Sequence, residues 1–353
     1  MYIGLAIAVI AFFVLSFFNK AVFGGKADAK AFTGLTNFKD GVFVNQKITE
    51  VMSADGNFFK VLKEWMNKAP DNEPKHILPV VKTDLTQLPN DSIVWFGHSS
   101  YLLRLDGKSI LVDPVFNRAS PIKLFGKPFA TSYQYSVDDF EDIDILVITH
   151  DHYDHLDYET VKALIPKTKC IITSLGVDAH LKSWGANTEQ LKVLNWHESV
   201  NILDLDFTSL PARHFSGRKF KRGETLWSSF ALKTAHKNIY LGGDSGYDSH
   251  FKEIGENYGP FDLAILECGQ YGKYWPKIHL FPHEVLLAST DLKAKVLLPV
   301  HWAKFSLSTH GWTTSIDELM AHAKASDYPV CTPQLGAVLD LNNPVIGDCW
   351  WKG

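Results

Sequence analysis

The sequence predicts an α+β protein in which two packed β-sheets carry helices on their outer faces. From about residue 92 onward, short apolar runs alternate with segments of helical spacing, and the first part of this region is rich in strand patterns. Runs such as "DIDILVITH" have the continuous apolar character of a buried strand. Asp106 and Gly107 separate two apolar runs, and this dipeptide favours a tight β-hairpin.

The elements follow one another along the whole chain. Helices are predicted at 58–68, near 158–165, at 177–185 up to the stop signal of Gly185, after Asp248, from Pro282 and from Thr314. Strands are predicted within 92–114, 142–150, 169–174, 200–214, 226–234, 238–244, 263–269 and 295–302.

Composition limits the class of protein. The chain has 353 residues, 46% of them hydrophobic and 21% charged, which is typical of a globular protein with a sizeable core. The net charge is −4 and no stripe of Lys or Arg is visible, so nucleic acid is not expected as a partner. The four cysteines lack metal-binding spacing and are expected to be reduced and mostly buried: Cys170, Cys268, Cys331 and Cys349.

The N-terminus predicts a membrane anchor. Residues 2–18, "YIGLAIAVIAFFVLSFF", are uncharged and just long enough to span a bilayer. Only Met1 precedes them and lysines follow, which favours an uncleaved transmembrane helix over residues 1–20 with the rest of the chain on the cytoplasmic face. A cleaved signal peptide and an interfacial helix are the alternatives.

Residues 21–90 form a predicted lead-in segment that packs on the main domain, residues 91–353. The helix at 58–68 has apolar residues at helical spacing. Its aromatic side chains are expected to pack into the core together with two residues upstream, although an interfacial surface is the alternative; the set is Phe43, Val44, Phe58, Phe59 and Trp65.

A crowded polar segment, "THDHYDHLD" at 149–157, directly follows a buried strand. His150, His152 and Asp154 alternate, so an extended backbone directs their side chains to one side. His155 follows at once and can turn toward a second point. Imidazoles and carboxylates in this arrangement suit two borderline metal ions such as zinc.

Three further polar residues end apolar runs in the same way. His214 ends "TSLPARH", Asp244 ends "NIYLGGD" and His301 ends "KVLLPVH". A lone histidine at such a place is often a hydrogen-bonded core residue. The three residues and the crowded segment together indicate one site.

These motifs, "HDHYDH", the later His214, "GGDSG" and "PVHW", resemble in order those of the metallo-β-lactamase fold hydrolases. The resemblance implies a four-layer αββα sandwich with a metal site at the sheet edges. It implies two ligand sets joined by one bridging carboxylate: His150, His152 and His214 for one zinc, Asp154, His155 and His301 for the other, and Asp244 for both.

Longer stretches are similar to the branch that contains the N-acylphosphatidylethanolamine-hydrolysing phospholipases D. They are "VWFGHSSYLL", "LVDPVFNRASP", "THDHYDHLDY", "GGDSGY", "YGPFDLA" and "VHWAKFSL". The resemblance implies a phosphodiesterase that releases an N-acylethanolamine and phosphatidic acid. It also implies that Asp113 orients a ligand imidazole and that His279 has a role at the site, although a helix-capping or supporting role for His279 stays open. His98 is expected either close to the site or as a hydrogen-bonded structural histidine.

The expected chemistry is attack on phosphorus by a hydroxide held between two metal ions. Asp154 and His279 are the candidates for giving a proton to the leaving alcohol. The stretches 125–135 and 270–275 are aromatic and are expected to border the substrate.

Other functions need the same residues. A lactonase acting on a sugar phosphate would use the same two metals, as would another small-molecule hydrolase. A metal-binding membrane scaffold without turnover is an alternative of another class. The acyl specificity, the native metal (zinc, iron or manganese) and the oligomeric state, including a homodimer, stay open.

Overall fold

The computed structural model describes residues 16–352. Its strands are β1 (Phe38–Lys39), β2 (Val42–Phe43), β3 (Ser92–Trp95), β4 (Tyr101–Leu105), β5 (Lys108–Val112), β6 (Ile143–Ile148), β7 (Thr168–Ser174), β8 (Leu191–Leu194), β9 (Ser199–Ile202), β10 (Leu205–Leu210), β11 (Ser229–Lys233), β12 (Asn238–Leu241), β13 (Leu263–Glu267), β14 (Leu297–Val300) and β15 (Val338–Asp340). Its α-helices are α1 (Phe58–Met66), α2 (Tyr158–Leu164), α3 (Asp178–Ser183), α4 (His250–Asn257), α5 (Pro282–Asp291) and α6 (Thr314–Ser326).

The strands from β3 onward form two sheets. One has seven strands in the order β15-β3-β4-β5-β6-β7-β8, and the other has six in the order β14-β13-β12-β11-β10-β9. In the first sheet β5 to β8 are parallel, and in the second β12 to β14 are parallel. The carboxyl ends of parallel neighbours meet at one edge of a sheet, and this edge carries the site.

The core lies between the sheets and beneath the helices. Ile145 and Val147 of β6 belong to the large apolar cluster that both sheets share with α4, α5 and α6. Leu146 and Ile148 of the same strand point the other way, into a cluster with α2 and α3. This alternation explains why β6 is apolar along most of its length, and it confirms the predicted sandwich of two sheets between helices.

Local sequence signals explain several boundaries. Leu105 pairs with Lys108, so Asp106 and Gly107 form the predicted two-residue hairpin, with φ of 46° and 73°. The stretch 200–214 contains two strands rather than one, because a turn interrupts it where no glycine marks the break. The turn residues Leu203 and Asp204 have φ of 55° and 68°.

The lead-in contacts the main domain through part of its length. Phe32 and Phe43 are buried against Trp196 and Trp227, as expected for Phe43. Helix α1 forms where the apolar spacing predicts it, and the Asn57 side chain caps it by accepting a hydrogen bond from the backbone of residue 60.

The expected core packing of helix α1 is wrong. None of its residues is buried, and Phe58, Phe59 and Trp65 are 69%, 78% and 40% exposed. The helix lies across the surface, so its apolar side chains contact solvent.

The predicted transmembrane helix falls largely on residues 1–15, outside the described residues, and it stays a prediction. Within residues 16–352, no helix combines the length and the apolar character needed to cross a bilayer. The cysteines are free: Cys170, Cys268 and Cys331 are buried as expected, and Cys349 is partly exposed.

Candidate metal centre

Polar residues from both sheets converge where their strands end. Asp113 follows β5, the loop 149–157 follows β6, and His214 lies four residues beyond β10. Asp244 and His301 follow β12 and β14. The fold therefore brings together side chains that lie far apart in the sequence.

The first group contains three imidazoles and one carboxylate. His152 Nδ1 lies 3.0 Å from His150 Nε2 and 3.2 Å from His214 Nε2. Asp244 Oδ2 lies 3.9 Å from His150 Nε2 and 3.7 Å from His214 Nε2. All four residues offer ligand atoms within 4.8 Å of one another. Three nitrogens and one oxygen at this spacing suit a divalent metal such as zinc.

The second group is built around Asp154. Its Oδ2 lies 2.9 Å from His98 Nε2, 3.8 Å from His155 Nε2 and 3.9 Å from His301 Nε2. The four residues again offer ligand atoms within 4.8 Å of one another. His98 therefore stands among the possible metal donors, whereas the sequence predicted it only as a neighbour of the site.

Asp244 lies between the two groups. Its Oδ2 faces the first group, and its Oδ1 lies 3.1 Å from His155 Nε2 and 3.2 Å from His301 Nδ1. One carboxylate thus presents an oxygen to each side, which is the arrangement expected of a bridging ligand.

Buried polar atoms without partners show that the groups fit a cation. His155 Nε2, His301 Nε2 and Asp244 Oδ1 are buried and have no hydrogen-bond partner within the described residues. A buried polar atom left unpaired costs about 1–3 kcal/mol, so such atoms are rarely left in this state. A divalent metal ion coordinated by these atoms would satisfy them.

The second nitrogen of each of four imidazoles is held by a hydrogen bond. A fixed second nitrogen sets the tautomer and orientation that metal binding requires. The pairs are His150 Nδ1 with Thr149 Oγ1 at 3.0 Å, His155 Nδ1 with Asp113 Oδ2 at 2.7 Å, His214 Nδ1 with the Ile278 carbonyl at 2.8 Å, and His301 Nδ1 with Ser99 Oγ at 2.9 Å.

The backbone at the site takes a conformation that residues other than glycine seldom adopt. His98, Asp113 and His301 have φ of 52°, 40° and 70°. Such residues cost about 1–3 kcal/mol each and are typical of functional sites, where the surrounding structure enforces them.

A beta-lactamase superfamily domain matches residues 108–302, more than half of the chain. The chain belongs to the metallo-β-lactamase superfamily. The matched region contains every residue of the two groups except His98.

Relatives within this superfamily cover most of the chain. An uncharacterized protein of Mycobacterium tuberculosis is 36% identical over 327 residues, which are 90% of this chain and 87% of that protein. The N-acyl-phosphatidylethanolamine-hydrolyzing phospholipase D 1 of Caenorhabditis elegans is 30% identical over 314 residues, 81% of this chain and 88% of that protein. The similarity predicted from the motifs is therefore confirmed.

A solved structure shows the same fold. A metallo hydrolase from the archaeon Ignicoccus hospitalis superposes with a TM-score of 0.53 at 21% sequence identity, over 70% of this chain and 97% of that chain. At this identity the likeness concerns the fold alone.

The electrostatics of this metallo-β-lactamase site favour metal ligands. Burial lowers the pKa of His150, His214 and His301 well below the ordinary value, so these imidazoles are neutral and have a free electron pair. Burial raises the pKa of Asp244, but the attraction of His155 outweighs it and holds the pKa well below its usual range. The carboxylate is therefore ionised.

His279 and Glu267 form a pair beside the two groups. His279 Nδ1 lies 2.7 Å from Glu267 Oε2, and the His279 ring centre lies 5.1 Å from that of His214 and 5.4 Å from that of His301. Burial lowers the pKa of His279, but the attraction of Glu267 outweighs it and raises the pKa above its ordinary value. The pairing with Glu267 thus favours the protonated ring, which makes His279 a candidate proton donor.

Sequence reasoning missed Glu267. It ends β13, a strand whose five residues are all buried. This is the same signal that identified Asp244 at the end of an apolar run, and it could have been used here too.

A cavity of about 290 Å³ opens onto both groups. The stretch 270–275, which the sequence predicted to border the substrate, contributes Gln270, Tyr274 and Trp275 to its wall. The other predicted stretch, 125–135, lines a neighbouring groove of about 860 Å³ instead.

Arg222 also lines the cavity of the site, and sequence reasoning missed it. Its guanidinium carbon lies 4.8 Å from the centre of the Phe215 ring. A guanidinium at the wall of a metal site can bind an anionic substrate.

Proposed function

We propose that this metal-dependent hydrolase is a phosphodiesterase of the phospholipase D type. It cleaves N-acylphosphatidylethanolamine-like phospholipids and releases N-acylethanolamine and phosphatidic acid. The observation that carries this proposal is the 30% identity to the C. elegans phospholipase D over 81% of the chain.

Two divalent metal ions complete the proposed site, with zinc as the first candidate and iron or manganese as alternatives. His150, His152 and His214 would hold one, Asp154, His155 and His301 would hold the other with His98 nearby, and Asp244 would contribute to both. When bound, such a pair supplies Lewis acidity and lowers the pKa of water at the site.

The phosphate group of the substrate needs positive charge and an orienting contact. Arg222 lies on the cavity wall with a planar fork of N–H donors, which matches two phosphate oxygens. The apolar walls formed by Val61, Phe215 and Ile278 are suited to the chains of a lipid. Together they favour an amphiphilic phosphodiester over a small polar lactone.

The leaving alcohol needs a proton, because an alkoxide is a strong base. His279 lines the cavity, and Glu267 holds its Nδ1 so that Nε2 is left to face the substrate. A positioned acid of this kind is worth about 10²–10⁴-fold in rate. Asp154 is the alternative proton donor. As a proposed metal ligand of the second group, it is less available to give a proton to the leaving alcohol.

A lipid substrate is also consistent with the predicted membrane anchor at the N-terminus. Residues 1–20 are proposed to anchor the chain in the membrane, with the catalytic domain on the cytoplasmic face. An anchored enzyme meets its lipid within the plane of the bilayer.

The direct test is hydrolysis of a defined N-acylphosphatidylethanolamine in detergent micelles containing H₂¹⁸O, followed by mass spectrometry. Water attacks phosphorus, the bond from phosphorus to the ethanolamine oxygen breaks, and that oxygen takes a proton. The label should therefore appear in phosphatidic acid and be absent from N-acylethanolamine.

Asp244→Asn is the inactive control, because it disturbs both groups at once. Diacylglycerol as the product would contradict the phospholipase D assignment. Opening of a sugar-phosphate lactone without any phospholipid turnover would favour the lactonase instead, and absence of any turnover by metal-loaded protein would favour a scaffold.

A further inference from the structure

We propose that helix α1 and the loop 118–127 form a surface that docks on the headgroup region of an anionic phospholipid bilayer. This surface is separate from the N-terminal segment, and docking can be measured without turnover, so the inference goes beyond the proposed function. We name its apolar side chains the apolar rim: Phe58, Phe59, Leu62, Trp65, Met66, Ile122, Leu124 and Phe125.

The apolar rim is unusually exposed for large hydrophobic side chains. Phe59, Met66 and Leu124 are 78%, 77% and 81% exposed. Trp65, Leu124 and Phe125 line one groove of about 860 Å³, so the helix and the loop face each other across it. Exposed apolar side chains that border one groove mark an interaction surface rather than scattered surface residues.

Helix α1 has the pattern of an interfacial helix. Its apolar residues are interleaved with Lys60, Lys63 and Glu64, whose carboxylate pairs with Lys273, and none of its nine residues is buried. Packing against the domain therefore does not account for all of its apolar residues, because Phe58, Phe59 and Met66 are each more than two thirds exposed. Basic amphipathic helices with aromatic residues lie in the plane of a membrane interface.

The positive charge of the loop 118–127 favours an anionic lipid surface as the partner. Residues 118–127 contain Arg118, Lys123 and Lys127 and no acidic residue, although the whole chain has a net charge of −4. Positive charge is thus concentrated in this loop against the overall trend, while Glu73 at the groove is paired with Lys68. An anionic lipid surface offers the complementary charge together with an apolar layer to receive the side chains.

The apolar rim also lies next to the mouth of the metal site. Val61 of helix α1 lines the cavity of the site, whereas Trp65, one turn later, lines the groove. Leu307 lines both. Docking through the apolar rim would place the cavity at the membrane surface.

A further exposed aromatic residue lies on a loop that lines the cavity, close to the N-terminal segment. Phe220 is 85% exposed, and its ring centre lies 4.6 Å from that of Phe18, where the chain leaves the N-terminal segment. Phe215 and Arg222, on the same loop, line the cavity. The loop that carries Phe215 and Arg222 therefore connects the wall of the cavity to the point where the N-terminal segment joins the domain.

The test places an environment-sensitive nitrobenzoxadiazole dye on the full-length, metal-loaded chain. Phe59→Cys and Leu124→Cys carry the dye in a Cys349→Ser background, which removes the one partly exposed native thiol. Val345→Cys is the matched control, because Val345 is 66% exposed and lines neither the groove nor the cavity. Vesicles rich in phosphatidylglycerol are compared with phosphatidylcholine vesicles.

Dyes at 59 and 124 should shift to the blue with phosphatidylglycerol vesicles, and the dye at 345 should not. Replacing Lys123 or Lys127 by Gln should weaken partitioning about fivefold each, whereas Lys324→Gln should leave it unchanged. The same shifts should occur in an Asp244→Asn background, so docking is measured apart from turnover.

Two results would overturn the inference. The chain could sediment with vesicles while the dyes at 59 and 124 stay in water, which would assign binding to the N-terminal segment alone. The dyes could instead shift with protein concentration in the absence of lipid, which would assign the apolar rim to contact with a second copy of the chain.

Discussion

His155 Nδ1 lies 2.7 Å from Asp113 Oδ2, and both side chains are almost completely buried. Asp113 also accepts hydrogen bonds from the backbone and hydroxyl of Thr149 at 2.9 and 2.6 Å. The carboxylate is thus fixed in the core, and it in turn fixes the ring that faces Asp154 and Asp244. The Asp113–His155 pair therefore fixes a proposed metal ligand to the buried core of the domain.

Asp113→Asn should therefore weaken metal binding or activity about 10–100-fold, the usual effect of losing a carboxylate that orients a ligand imidazole. Metal titration with a competing chelator measures this loss. Asp144→Asn is the matched control, because Asp144 is a buried carboxylate on β6 that bonds to Ser109 and Lys169, away from the site. Equal losses in both variants would mean that Asp113 acts only through stability.

His279→Gln should slow turnover about 10²–10⁴-fold for an alkyl phosphodiester and much less for a nitrophenyl one. The reason is that nitrophenolate leaves without a proton, whereas an alkoxide needs one. Steady-state kcat on the two substrate classes gives the measurement. A similar loss on both would show that His279 positions the substrate rather than donating a proton.

Arg218→Lys should destabilise the loop of the metal site. The buried guanidinium donates to the carbonyls of Asp151 and Leu156 at 2.7 and 2.8 Å and to that of Val22 at 2.7 Å. An ammonium cannot reach all of these acceptors, so the free energy of unfolding should fall by about 2–3 kcal/mol. Denaturant unfolding would show this fall, and the part-exposed Arg104→Lys should change little.

His250 should make the protein sensitive to acid. Burial lowers the pKa of His250 to about 3, so only the unfolded chain binds its proton between that value and the ordinary 6.5. Stability is therefore lost as pH falls below 6.5, by about 1.5 kcal/mol between pH 6.5 and 5 from this group. His250→Gln should flatten this part of the stability curve relative to wild type, and the exposed His236→Gln should not.

Much of the site could be predicted because a metal site needs polar residue types that are unusual at the ends of apolar runs. A histidine or aspartate at the end of an apolar run, such as His301 or Asp244, has few structural explanations. The fold then brings those strand ends to one edge, so an ordered set of motifs indicates a spatial cluster. The buried strands could be predicted for a related reason, since residues covered on both faces leave a continuous apolar run.

Other features depended on three-dimensional contacts that a sequence pattern does not contain. Helix α1 has the periodicity of a core helix, and only the structure shows that its apolar face meets solvent. Arg222 looks like any surface arginine until the loop that carries it folds over the cavity. The short strands β8 and β15 lie at the edges of their sheet, and half-exposed edge strands carry little apolar signal.

The central claim is that Asp244 joins two groups of ligands, each of which holds a divalent cation. Plasma mass spectrometry of the purified, metal-loaded chain measures this most directly, beside the Asp244→Asn variant. We predict close to two equivalents of zinc, iron or manganese in the wild type and a marked loss in the variant. A fully active wild type with one equivalent or none would contradict the account.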